Sequence, residues 1–491
     1  MAPHLKNPNL LQKKSFINGE WFESKSTKTF KIHDPASGEF IAELTDLLPE
    51  EIEYAIKITH ESYELYKKTN PYDRSKWLRN LYNLMMENID DLAKILTWEN
   101  GKPLAEALGE IKYAASYFEW FAEEAKRIYG HTIQPANQGN KIVTLKQPIG
   151  PVALMTPFNF PSAMISRKAA PALAVGCTTI SKPDYQVPLS CLALAYLADQ
   201  AGFPPGAFNV ILSSAQSTPV SGLQLCESPL IKKISFTGST AVGKLLMKQS
   251  ASTLKKLSFE LGGNAPIIVF DDAKLDKAVT QAIGSKFRSL GQTCVCANRI
   301  YVQSGVYDEF VKKFVEKVKA FKIGHGFDEE VTHTCLINER SVAKVKGHVE
   351  DAISKGAKYA LEGGELPHLG PHYYSPTVLT GVTQDMKVAK EETFGPLAAI
   401  IKFDTEKEAI GYCNDSEFGL AAYVFSENIN TCWTFSEALE VGMVAVNVGV
   451  FTEAAVPFGG VKESGFGREG SLYGVDDYTV VKSIIIGDVY S

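Results

Sequence analysis

Much of what this 491-residue chain could have been is excluded by what it lacks. No apolar run reaches the roughly 18 residues that a bilayer-spanning helix needs. Residues 1–16 carry lysines but no apolar h-region, so no secretory signal is expected. No arginine precedes Arg74, which argues against a mitochondrial transit peptide. The eight cysteines lack the spacing of a disulfide framework, which predicts reduced thiols and a cytoplasmic location. In that setting Asn414-Asp415-Ser416 is an idle glycosylation sequon. No His/Cys cluster has ligand spacing, and His131 and His333 stand alone, so no metal is expected. Basic charge is not in surplus: the net charge is −6 and the pI near 5.9, so a nucleic-acid partner is not indicated. Neither a repeat of 20–50 residues nor a Pro/Gly/Ser-rich linker divides the chain.

What remains reads as an ordinary soluble protein, 45% hydrophobic and 22% charged, with material for about three domains. Short β-branched runs alternate with stretches of helical period, the pattern of an α/β fold with a parallel sheet. Strands are expected over 149–155, 177–181 and 233–236, with helices over 162–175, 189–200 and 239–250. Short strand-like runs at 131–134 and 142–146 bracket polar Gln138-Gly139-Asn140.

Two segments carry chemistry. Cys294 lies in Gly291-Gln292-Thr293-Cys294-Val295-Cys296-Ala297-Asn298-Arg299, and Glu260 opens Glu260-Leu261-Gly262-Gly263-Asn264-Ala265-Pro266. A thiol among small and polar residues, with a carboxylate elsewhere in the chain, suits a nucleophile and its base. A cysteine alone is more often an inert buried hydrophobe.

Two apparent phosphate loops need separating. Gly465-Phe466-Gly467-Arg468-Glu469-Gly470 fits G-x-G-x-x-G but follows a Gly- and Lys-rich loop rather than a strand, and reads better as a flexible active-site loop. Gly238-Ser239-Thr240-Ala241-Val242-Gly243-Lys244 lies between a strand and a helix, yet Leu245 stands where a magnesium-binding hydroxyl belongs. That omission argues against NTPase chemistry. A helix N-terminus at Gly238-Ser239 remains, suited to a pyrophosphate, although a plain N-cap serine has the same sequence.

The cysteine and glutamate segments, 294 − 260 = 34 residues apart, resemble the signatures of the aldehyde dehydrogenase superfamily. The resemblance continues in Pro157-Phe158-Asn159-Phe160-Pro161, Phe236-Thr237-Gly238-Ser239-Thr240, Glu392-Thr393-Phe394-Gly395-Pro396 and Pro457-Phe458-Gly459-Gly460. It implies a variant Rossmann cofactor domain over 1–127 and 149–261 and an α/β catalytic domain over 262–455. An oligomerisation arm and C-terminal segment would take 128–148 and 456–491, with a last strand near 478–488. An arm of this kind exposes sheet edges, which a homodimer or homotetramer would cover.

The resemblance also assigns residues. Cys294 is the nucleophile, Asn159 with the Cys294 backbone N–H the oxyanion donor, and Glu260 the base that hydrolyses the thioester. Cofactor contacts fall on Thr156, Pro157, Phe158, Lys182, Pro183, Tyr185, Gly222, Phe236, Gly238, Ser239, Leu261, Glu392 and Phe394. Three departures stand out: Phe158 replaces the usual Trp, Thr218 replaces a loop glycine while Gly222 is kept, and Tyr185 replaces a glutamate common in NAD-preferring members. Without that carboxylate a 2′-phosphate is not repelled, so NADP is expected as the preferred cofactor, with NAD also used.

Within the superfamily, residues 286–302, 159–168 and 465–471, together with Tyr113-Ala114-Ala115-Ser116-Tyr117-Phe118, look most like the succinate-semialdehyde dehydrogenases in their fungal form. That branch uses two arginines for the substrate carboxylate, matching Arg167 and Arg288, with a hydroxyl at Thr452. Guanidinium binds carboxylate in bidentate fashion, although both arginines also fit structural ion pairs. The reaction implied is succinate semialdehyde oxidation in 4-aminobutyrate degradation. A betaine or aliphatic aldehyde would leave both arginines unpaired, and the intact Cys294, Glu260, Asn159 and Lys182 set opposes a non-catalytic structural role. Cys296 is a candidate redox partner: an exposed, partly ionised Cys294 would be open to oxidation, and its neighbour could trap it as a disulfide.

Overall fold

Two parallel-rich sheets carry the architecture, and the computed structural model describes them within residues 2–489. Residues 1, 490 and 491, the outer ends of the 1–127 and 456–491 segments, lie outside the described residues. The first sheet has eight strands, with five parallel ones at its centre in the order Phe208–Val210, Thr179–Lys182, Val152–Met155, Lys233–Thr237, Lys256–Glu260. From Val152–Met155 the chain first steps one way across the sheet and then returns to build the other side. The reversal falls between Val152–Met155 and Lys233–Thr237, and a crevice at the C-terminal ends of such strands is where open α/β sheets bind ligands. Gly465–Phe466 closes one edge, antiparallel to Lys256–Glu260.

Seven strands make the second sheet, in the order Lys358–Leu361, Thr377–Thr380, Leu397–Phe403, Ala297–Gln303, Ala265–Val269, Ala421–Phe425, Met443–Val446. All pairs are parallel except the first. Ala265–Val269 and Ala297–Gln303 are neighbours, so the segments that lead into them, one with Glu260 and one with Cys294, arrive side by side. A third sheet joins Thr479–Ile486 to Lys141–Pro148 and Thr132–Ile133, and most of Thr479–Ile486 is exposed.

Helix Pro161–Val175 is buried at all fifteen positions. A helix apolar on every side belongs inside a large core, and this one ends on Gly176 in the left-handed conformation, φ 102°. It also carries Arg167 and Lys168 into that core, and each must find a counter-charge there. The sequence reading passed over the strand Phe208–Val210 and the helix Thr218–Glu227. A three-residue strand shows no alternation, and its centre is polar: Asn209 is buried and donates to Thr179 O and Gly206 O.

Candidate active site

Four strand ends of the first sheet deliver Thr156, Lys182, Gly238 and Glu260 to one rim. Beside it lies a cavity of about 410 Å³ lined by Thr156, Pro157, Phe158, Lys182, Asp184, Thr218, Gly222, Phe236, Gly238, Ser239 and Leu245, among others. Ser239 caps the helix Thr240–Ser250, its Oγ accepting the Val242 N–H at 3.4 Å, and this helix start lines the cavity through Ser239 and Val242. A Cβ at residue 238 would lie 2.3 Å from the Phe236 ring, so only glycine lets the turn close over that ring. Leu245, which spoils the phosphate-loop pattern, lines the cavity instead. Lys182 is buried, its Nζ donating among the described residues only to Pro183 O at 3.3 Å, and burial lowers its pKa despite Asp184. A buried cation, helix amides and an apolar slot together fit a dinucleotide phosphate and its base.

The cavity draws Asp184 rather than Tyr185 or Pro183 from this stretch. Tyr185 is half-buried and lies near Arg340 as well as Asp184. Leu261 sits beneath the capped helix, against Gly243.

Glu260 and Cys294 meet through glycine. A Cβ at residue 263 would lie 2.4 Å from the Cys294 carbonyl oxygen, so the Glu260 segment can approach the nucleophile's backbone only without a side chain there. Gly263 N–H donates to Glu392 Oε1 at 3.0 Å, and burial lifts the Glu392 carboxyl to about 7. Phe394, at φ 57°, meets Phe158 edge to face with centroids 5.9 Å apart. Asn159 Nδ2 donates to Gln292 O at 3.0 Å, which places this amide at the cysteine loop. Its Oδ1 accepts the neighbouring Phe160 N–H, so it bonds its own backbone as well.

Cys294 is only partly exposed, and burial pushes its thiol up to about 12, with Arg167 working the other way. The expectation of an exposed, partly ionised sulfur is therefore not met here, because its surroundings are poorly hydrated. Cys296 is buried: its Sγ donates to Lys286 O at 3.0 Å and accepts from Lys286 Nζ at 3.5 Å. Tyr423 OH holds the intervening Val295 carbonyl at 2.6 Å.

Glu260 is buried, and its Oε2 has no hydrogen-bond partner among the described residues. Burial first, and then the nearby Glu469, raise its pKa well above the usual carboxylate range. Glu469 is the residue that sequence reasoning missed. It receives Arg167 Nη2 at 2.6 Å and Nε at 2.7 Å on one oxygen and Lys168 Nζ on the other. Despite burial, Lys168 and Arg167 hold its pKa below the ordinary value.

Two expectations change with it. The stretch 465–470 is no flexible loop: it starts as a sheet strand and plants Glu469 in the core, because two buried cations require that carboxylate. Arg167 is not a free cation either: its Nε hydrogen-bonds Glu469 and its guanidinium stacks on Phe458 at 4.0 Å, while Nη2, ion-paired to the same oxygen, makes no hydrogen bond among the described residues. Arg288 differs. Its guanidinium stacks over Phe160 at 4.9 Å, and among the described residues it has no side-chain hydrogen bond or ion pair. It lines a narrow pocket with Thr293, Val295, Phe451 and Thr452, beside the cysteine loop. No group of three or more His, Cys, Asp or Glu suited to a metal occurs among the described residues, and none of their helices is long and apolar enough to cross a membrane.

The chain matches the aldehyde dehydrogenase family over residues 21–484. A succinate-semialdehyde dehydrogenase named for NADP(+), from Saccharomyces cerevisiae, is 61% identical over 487 residues, covering 99% of this chain and 98% of its own. A protein of the same name from Escherichia coli is 50% identical over 484 residues, covering 98% and 99%. The crystal structure of succinate-semialdehyde dehydrogenase from Burkholderia pseudomallei superposes with a TM-score of 0.97 at 49% identity, over 99% of this chain and all of that one.

Proposed function

The chain belongs to the aldehyde dehydrogenase family, and from this we infer that it oxidises succinate semialdehyde to succinate with reduction of NADP+. The observation that carries the substrate is Arg288, whose guanidinium makes no hydrogen bond or ion pair with a carboxylate among the described residues, feels the longer-range attraction of Glu106, and shares a pocket with Thr452 beside Cys294. A carboxylate at the far end of the aldehyde gives that cation its counter-charge. The cation of betaine aldehyde would be repelled there, and an aliphatic aldehyde would leave Arg288 unpaired. Such a reaction belongs to 4-aminobutyrate degradation.

Cys294 adds as thiolate to the aldehyde carbon, forming a thiohemiacetal. The Asn159 side-chain amide and the Cys294 backbone N–H supply donors for the oxyanion. When bound, the nicotinamide supplies the hydride acceptor. Glu392 and the Phe158–Phe394 pair shape the wall on that side. Collapse of the thiohemiacetal leaves a thioester on Cys294, and Glu260 takes a proton from the water that hydrolyses it. Burial favours the neutral form of Glu260, and once ionised it is a stronger base than an exposed carboxylate.

NAD would also be accepted, with NADP preferred, a reading supported by the relatives named for NADP(+) and by the uncharged Tyr185, although Asp184 is the residue of this stretch that lines the cavity. Self-association into a homodimer or homotetramer is supported by Val480, Val481, Ile484, Ile485 and Ile486, all exposed on one strand. A cytoplasmic location accords with the free cysteines. The deciding assay follows NADPH absorbance with succinate semialdehyde, betaine aldehyde, hexanal or no aldehyde, and repeats it with NAD. Succinate semialdehyde with NADP should give the highest kcat/KM; equal turnover of hexanal would refute the substrate.

A further inference from the structure

Helix Leu104–Glu124 reaches into the site from outside both sheets. Glu106 and Glu110 lie one turn apart on it, so both carboxylates share a face. Glu110 takes the N–H groups of Ser162 and Ala163 at 3.0 and 3.3 Å, which fixes the first turn after Asn159. Glu106 takes one amide, that of Ser289, with its two oxygens at 3.0 and 3.3 Å. One helix therefore grips both the segment that carries the oxyanion amide and the segment that leads to the nucleophile.

The amide held by Glu106 lies at a demanding place. Ser289, Leu290 and Gly291 are three consecutive left-handed residues, with φ of 50°, 52° and 79°. Residues with side chains seldom adopt this conformation, and it persists only where surrounding contacts impose it. The reversal starts directly after Arg288, so it sets the direction in which that side chain leaves the backbone. Arg288 then rests on the Phe160 ring, 4.9 Å from its centroid. No hydrogen bond or ion pair among the described residues fixes its guanidinium; the Glu106 carboxylate attracts it from nearby and holds the next peptide through the Ser289 amide.

We propose that Glu106 is the positioning residue for Arg288, and that by holding the Ser289 amide it determines the preference for aldehydes ending in a carboxylate. This rests on the reading of Arg288 as the substrate's carboxylate partner. Reach, rather than charge, is the property that matters: the acceptor must sit where a glutamate-length side chain puts it.

The test measures kcat/KM for succinate semialdehyde and for butanal, and takes their ratio, in Glu106→Asp, Glu106→Gln, Glu106→Ala and Arg288→Ala. Glu106→Asp keeps the charge but withdraws the acceptor by one methylene, and should lower the ratio about tenfold, as expected when a charge-assisted contact is misplaced. Glu106→Gln keeps length and an acceptor oxygen, so its ratio should stay within about threefold of the parent. Glu106→Ala should lower it at least as far as Asp, and adding Arg288→Ala to it should cost nothing further, because the two act through one contact. If Gln lowers the ratio as much as Asp, charge and not reach is responsible, and the proposal falls. If Arg288→Ala lowers the ratio while Asp leaves it intact, Arg288 keeps its role and Glu106 loses its own. An Arg288→Ala variant with an unchanged ratio removes the reading beneath both. Asp and Gln are small changes at a half-buried position, so the comparison does not depend on Glu106→Ala folding.

Discussion

Asn298, four residues past Cys294, donates a 2.8 Å hydrogen bond to the side-chain oxygen of Asn264, four residues past Glu260. The two chemical segments are thus joined in register by a matched pair of amides. Asn298 Nδ2 also lies 2.9 Å from Glu391 O, next to Glu392, and Asn264 Nδ2 donates to Ala389 O. Replacing Asn298 by alanine leaves buried acceptors without a donor, which should cost about 1–3 kcal/mol. Urea unfolding measures it. Asn264→Ala with Asn298→Ala should be less than additive; full additivity would separate the segments energetically.

The Cys294 thiol, pushed up to about 12 by burial, makes a prediction about alkylation of the free enzyme. A raised pKa favours the thiol below it, so the thiolate fraction, and the rate with iodoacetamide, should climb about tenfold per pH unit from 7 to 10. Cys294→Ala should lose this phase and all aldehyde oxidation while retaining NADP binding by fluorescence. A rate already level at pH 8 would mean the thiol is activated before cofactor arrives.

Glu260→Gln should separate the two halves of the reaction. Hydride transfer needs no water, so quench-flow should show a burst of NADPH followed by turnover slowed about 10²–10⁴-fold, the usual worth of a general base. Loss of the burst would give Glu260 an earlier role as well.

The two arginines should part company. Arg288→Ala is expected to raise KM for succinate semialdehyde about tenfold to a hundredfold, and that for butanal little. Arg167→Met instead leaves Glu469 with Lys168 alone; breaking a buried ion pair typically costs about 3–5 kcal/mol. It should lower Tm and harm both aldehydes alike. A selective loss in Arg167→Met would return that residue to the substrate.

Peroxide should inactivate the enzyme in a way that thiols reverse, if Cys296 traps oxidised Cys294 as a disulfide. Cys296→Ser should then lose activity irreversibly, and peptide mass spectrometry of the oxidised parent should show the 294–296 peptide two hydrogens lighter. Equal recovery of both proteins would leave Cys296 as packing, held by Lys286 and pinned at Val295.

Residues that must be one particular type were readable in advance. Gly238 and Ser239 owe their identity to a close approach or a free amide within a few residues, and such needs leave a local trace. The three strands and three helices read between residues 149 and 250 were legible for a similar reason, because burial on both faces makes continuous apolar runs; the strands of the second sheet were not read from the sequence. Glu469 was not. Arg167 and Lys168 in an apolar helix announce that an acid is required, but nothing local says which of 56 acidic residues supplies it. Glu106 was hidden in the same way, its partner being a backbone amide 183 residues away.

Glu469 follows Arg167 by 302 residues. At about 5–20 residues per second, a ribosome needs roughly 15–60 s to cross that interval. Throughout it, the helix that will fill the centre of the first domain carries two cations with no counterion yet made. The nascent chain therefore has reason to keep that helix undocked, or to lodge it with a chaperone, until synthesis is nearly finished. A truncation just before residue 469 should leave a ribosome-bound chain protease-sensitive around Pro161–Val175, with protection arriving only after the late segment emerges.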